Sequence, residues 1–138
     1  MIRSKIHTMK TSGLTGALLD YWVAQIERSA GVEVYIQADN GVSRCMMRGG
    51  DEVWFCPSIN WAQGGPIIER ERIAVWGGCR NQWYATHPNT IPSGYNGQDI
   101  YIDVGDEDSQ DGATPLIAAM RAHIASKYGD EVSDEPSK

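Results

Sequence analysis

The sequence predicts an α+β fold: a small, mainly antiparallel sheet packed by two longer helices, at about 11–29 and 115–128, and a short helix near 66–71. Three observations predict it. Apolar residues recur at three- and four-residue spacing near both ends of the chain. Short runs that alternate apolar and polar residues, punctuated by Gly, Pro and Asn, fill the middle. The length, 138 residues, suits one core rather than two.

In the first helix Leu14, Ala17, Leu18, Tyr21, Trp22, Gln25 and Ile26 share a face. Leu19 and Val23 widen that stripe, which predicts a helix covered on more than one side. Thr11 or Ser12 serves as its cap and Gly31 as its stop. Residues 32–37 alternate as a strand, Asp39-Asn40-Gly41 supplies the positive φ angles of a tight turn, and residues 42–47 return. Residues 53–56 are a short β-prone run stopped by Pro57. Residues 58–70 read as a loop feeding the short helix, with Pro66 at its first position, where a missing N–H costs nothing. Two strands, 73–76 and 82–85, flank Gly77-Gly78; an irregular Pro- and Gly-bearing loop covers 87–97; residues 100–104 alternate again. In the last helix Thr114 is the cap and Pro115 the first residue. Leu116, Ala119, Met120, His123, Ile124 and Tyr128 line its face, and Gly129 ends it. The chain divides into an N-terminal extension (1–10), a single globular domain (11–129) and a flexible acidic tail (130–138).

Charge and cysteines exclude several classes. Residues 1–98 hold nine Lys/Arg against eight Asp/Glu, a net of +1; residues 99–138 hold three against ten, a net of −7. Duplex nucleic-acid binding needs clustered cations to displace counterions, so none is expected. No apolar run reaches membrane-spanning length, and the first ten residues lack the apolar centre of a secretory signal. The acidic stretch 103–112 lacks the central glycine and closing Glu of a calcium loop. Cys45, Cys56 and Cys79 are odd in number and have no zinc-finger spacing, which predicts free thiols in a reducing cytoplasm. His7, His87 and His123 fall in three separate regions, so neither a metal site nor a cofactor is expected; His123 reads as a hydrogen-bonded core residue.

The site candidate is the block Asn60, Trp61, Gln63, Gly64, Gly65 and Glu69. Two glycines ahead of a helix let backbone amides approach an anion closely, with the positive helix end behind them. Trp61 offers a stacking platform, and Asn60 and Gln63 offer polar edges. The competing structural reading is a sharp corner with Trp61 filling the core. If the site is exposed, Gly64→Val should abolish binding at modest cost in stability. Glu69 through Arg72 is an alternating charge run: a solvated helix face, or, in the alternative, a general base at Glu69.

Three blocks carry a resemblance. They are Met9-Lys10-Thr11-Ser12 with Leu14 to Ala24, Pro57-Ser58 with Trp61 to Arg70, and Thr114 to Arg121 continuing through Ala125 to Gly129. Together they resemble the NinX-like family of small proteins from tailed bacteriophages and prophages. The resemblance implies a phage accessory protein. We read it as a cytoplasmic binding module for a host or phage protein, or for a small anionic ligand at the 60–69 block. The second reading is an enzyme on a small, nucleotide-like substrate using the same block, and the third a minor virion structural protein.

Overall fold

The computed structural model describes residues 7–88 and 109–135. Their order is β1 (Thr8–Lys10), a 3₁₀ turn (Thr11–Gly13), α1 (Gly16–Glu27), β2 (Glu33–Asp39), β3 (Val42–Arg48), β4 (Glu52–Trp54) and α2 (Trp61–Glu71). There follow β5 (Ala74–Gly77), β6 (Trp83–Thr86), β7 (Gln110–Gly112), α3 (Pro115–Tyr128) and β8 (Glu131–Ser133). The architecture is α+β, but the strands are shared among three small antiparallel sheets instead of one: β1-β8, β2-β3-β4 and β5-β6-β7. The strand expected over 100–104 and most of the 87–97 loop lie outside the described residues, as does most of the 103–112 stretch.

The last helix runs from Pro115 to Tyr128 as its signals require: Thr114 accepts a hydrogen bond from the Ile117 amide at 3.1 Å, and Gly129 closes the end at φ 85°. Its burial exceeds the single face expected, because every residue from Ala118 to Ile124 is buried. The alanines at 118, 119 and 122 let neighbours come close on several sides, so α3 packs against α1, α2 and the β5-β6-β7 sheet together. Arg121 is buried within it, and its Nε and Nη1 donate to the carbonyls of Leu14 (2.9 Å) and Asp111 (2.7 Å).

α1 is covered on two sides, as its wide stripe predicts. Leu19 and Val23 join the core around α3, while Tyr21 and Ala24 pack with Val34 and Cys45 of the β2–β3 hairpin. The hairpin turn is the one read from the sequence, with Asn40 and Gly41 at φ 51° and 80°. The helix starts later than residue 11, and the reason is tertiary. Thr11 donates its hydroxyl to the Gly129 carbonyl and its amide to the Asp130 carbonyl, both at 2.7 Å. It clamps the end of α3 instead of capping α1. The same clamp aligns β1 with β8, Met9 opposite Val132, so parts of the two terminal segments form a ladder with each other. Among the described residues no helix is long and apolar enough to cross a membrane.

Candidate functional site

The 60–69 block folds differently from a glycine corner. α2 begins at Trp61, with Asn60 as its cap: Asn60 Oδ1 accepts from the Ala62 amide at 2.9 Å. Gly64, Gly65 and Pro66 therefore lie inside the helix, and the short helix expected at 66–71 is the second half of a longer one. The Gln63 and Gly64 amides donate to the Asn60 carbonyl at 3.0 and 2.9 Å. They are spent within the helix, which corrects the expectation that these amides face an anion. Gly64 is buried: a Cβ there would stand 2.5 Å from the Pro57 carbonyl oxygen and 2.7 Å from Leu116 Cδ2. The glycine is needed for close approach, though by the protein itself. Pro66 has no N–H to donate to the Ala62 carbonyl, and both residues are exposed.

Gln63 binds inward. Its Oε1 accepts from the Cys56 amide at 2.6 Å and its Nε2 donates to the Trp54 carbonyl at 3.0 Å. Trp61, by contrast, is 57% exposed, beside Ile59 at 66% and with Trp54 at 43%. Glu69 is exposed on the solvent side of α2. Of the six predicted residues, Asn60, Gln63 and Gly64 thus build a frame, and Trp61 stands out from it.

The turn that carries Ile59 is held from beneath. Pro57 and Ser58 are buried, and the Ser58 amide donates to Asp20 Oδ1 of α1 at 3.0 Å. Burial pushes the Asp20 carboxyl up from 3.8 to about 6, against the Ser58 hydrogen bonds that pull it down. The Cys45 thiol is pushed up to about 12, by burial first and then by the nearby Asp20 and Cys56, so it is a neutral core group and no nucleophile. A raised carboxyl means that the folded chain binds more protons than the unfolded one between these two values, so stability falls as pH rises from 3.8 to about 6. Asp20→Asn keeps the acceptor for Ser58 and removes the charge. It should exceed the wild type in stability above pH 6 by about 2–3 kcal/mol and lose that advantage near pH 4. Urea unfolding at the two pH values measures this, and an Asn variant weaker than wild type at both would refute it.

A second constellation was not legible as one. Glu27 ends α1, Arg70 and Glu71 end α2, His87 follows β6 and His123 lies in α3. Arg70 grips Glu27 through two nitrogens, at 2.8 and 2.7 Å, and reaches Glu71 Oε2 with Nε at 2.9 Å. His87 Nε2 stands 2.9 Å from Glu71 Oε1, and His123 Nε2 stands 3.0 Å from Glu27 Oε2. The two imidazoles stack with centroids 6.1 Å apart, and both are buried. For Glu27, burial favours the neutral acid, but hydrogen bonds from His123 and Arg70 prevail and hold the carboxyl at about 2. Glu71 is also held at about 2, by His87 first and then by Arg70. A carboxylate in the last turn of a helix meets the negative end of the dipole, so Glu71 depends on these cationic and donor neighbours.

This corrects the reading of three scattered histidines. His123 is the hydrogen-bonded core residue expected, but His87 is its neighbour across 36 positions of sequence, and only His7 lies apart, exposed near the start of β1. Glu71, two residues beyond the Glu69 singled out, is the acid that the fold turns inward. The structure supplies what the sequence lacks: a left-handed Arg72 (φ 56°) ends α2 and directs the chain back to the core at Ile73, so the charge run reaches a helix end and not only a solvated face.

These features define a small α+β protein with exposed Trp54, Ile59 and Trp61 around the start of α2, the Trp54 ring carrying the Arg44 guanidinium 4.8 Å from its centroid, and a buried histidine–carboxylate cluster. The family described as Bacteriophage P22, NinX matches residues 10–127. The chain belongs to that family and is, at that level, a bacteriophage accessory protein. No curated protein matches it.

Proposed function

We propose that this accessory protein acts in the host cytoplasm by binding a protein partner through the ledge formed by Trp54, Ile59 and Trp61. One observation carries the reading: three large apolar side chains within eight positions are 43–66% exposed, and the backbone that bears them is bolted down by Asn60, Gln63 and Asp20. Exposed aromatic groups on a rigid base suit the centre of a protein interface, because little conformational entropy is lost when they are covered. A small anion fits this surface poorly, since the Ala62, Gln63 and Gly64 amides of the first helical turn are already bonded. The cytoplasmic setting is supported by three free cysteines, one of them exposed.

The test is affinity capture from phage-infected host lysate with wild type, a Trp61→Ser/Ile59→Ser variant and a Val42→Ser control at the distant hairpin turn. A discrete protein should be retained by wild type and control and lost by the double variant. The purified pair should then bind with affinity at least tenfold weaker for the double variant. Equal capture by all three chains would remove the ledge as the interface.

A further inference from the structure

We propose that Glu71, His87 and His123 form a binding site for one divalent transition-metal ion of the zinc class. One ligand atom from each residue lies within 4.8 Å of the other two. The donor set, two imidazoles and a carboxylate, is one that zinc and its neighbours in the first transition row accept, with the fourth position left to solvent or a ligand.

The telling atom is His123 Nδ1. The His123 ring is fully buried; Nε2 is engaged with Glu27, and Nδ1 has no hydrogen-bond partner. A donor hydrogen on Nε2, directed at the Glu27 carboxylate, leaves a bare lone pair on Nδ1. That lone pair faces Glu71 Oε1 at 3.9 Å. Two acceptors confronting each other in a buried space repel, and the separation is too long for a proton on Nδ1 to form a hydrogen bond across it. A metal ion resolves both faults. It takes the lone pair and the carboxylate oxygen at about 2.0–2.2 Å each, within a gap of this width.

The surroundings are those that orient metal ligands. A histidine that binds a metal through one nitrogen characteristically donates its other N–H to a carboxylate, the part Glu27 plays for His123. Arg70 occupies Glu71 Oε2, which leaves Oε1 directed at the two imidazoles. His87 Nε2, 2.9 Å from that oxygen, gives up any hydrogen it shares with Glu71 when the ion enters. Donors around a tetrahedral ion stand about 3.4 Å apart, so closure draws the widest pair, at most 4.8 Å apart, inward by up to about 1.4 Å. The Glu71 side chain, 19% exposed, marks the way in from solvent.

The experiment is a titration of the full chain, stripped with chelator, with Co²⁺ followed by visible absorption and with Zn²⁺ followed by calorimetry. One ion per chain is expected, with the ligand-field bands of a four- or five-coordinate Co²⁺ that includes imidazole. His87→Gln and Glu71→Gln should each weaken binding by 100-fold or more, while His7→Gln leaves it unchanged. The stripped wild type needs no variant to fold. If it keeps its near-ultraviolet circular dichroism and shows neither Co²⁺ bands nor zinc heat, the proposal fails. Binding that survives His87→Gln, or that vanishes in His7→Gln, also overturns it. The capture experiment on the ledge is independent of either result.

Discussion

Gly64→Val should destabilise the protein by about 3 kcal/mol or more, at the upper end of what overpacking costs. The first added carbon already meets the Pro57 carbonyl oxygen at 2.5 Å and Leu116 Cδ2 at 2.7 Å. Backbone cannot step aside as a flexible side chain can. Pro57 is itself fixed, since the residues on either side of it donate their amides to Gln63 and Asp20. Two further methyl groups enlarge the conflict where α2 meets α3. Replacing glycine in a helix ordinarily gains up to about 1 kcal/mol, which is too little to reverse the sign. The modest cost expected from the sequence holds only for an exposed site, and Gly64 is buried. Denaturant unfolding decides the matter; a loss below 1 kcal/mol would mean that the α2–α3 contact yields easily.

Glu27→Ala should cost about 3 kcal/mol, the lower end of the range for removing one partner of a buried ion pair. Its carboxylate receives both Arg70 and His123. Without it the fully buried His123 loses the partner of Nε2 while Nδ1 is already bare. Arg70 suffers less, because its side chain is 52% exposed and water can replace the lost acceptor. Arg70→Ala should accordingly cost about 1 kcal/mol or less. The losses should be less than additive in the Glu27→Ala/Arg70→Ala pair, because the two residues share one interaction while Arg70 keeps a second, exposed one with Glu71. Equal losses for the two single variants would show that the exposed half of the network, and not His123, sets its worth.

The parts of this protein that the sequence by itself determined are those decided between neighbours along the chain. Asn40 and Gly41 adopt positive φ because their own backbones tolerate it, and the β2–β3 hairpin follows. Thr114, Pro115 and Gly129 bound α3 for equally local reasons. The α+β class follows from the two hydrophobic periods. Even the true start of α2 had a local sign, since Asn60 stands three residues before Gln63 in the spacing of a capping pair, but Pro66 gave a stronger and misleading one. The tertiary structure decided the rest. Thr11 had the chemistry of a cap and became a clamp, because the end of α3 arrived with carbonyls to satisfy. Gly64 in the sequence leaves room for a ligand, and in the fold Pro57 and Leu116 fill it. Glu27, Glu71, His87 and His123 come from α1, α2, the segment after β6 and α3, and no spacing along the chain links them. Hydrogen bonds act over about 3 Å, so which titratable groups meet is settled only when the helices pack, and a chain read in one dimension carries no record of that distance.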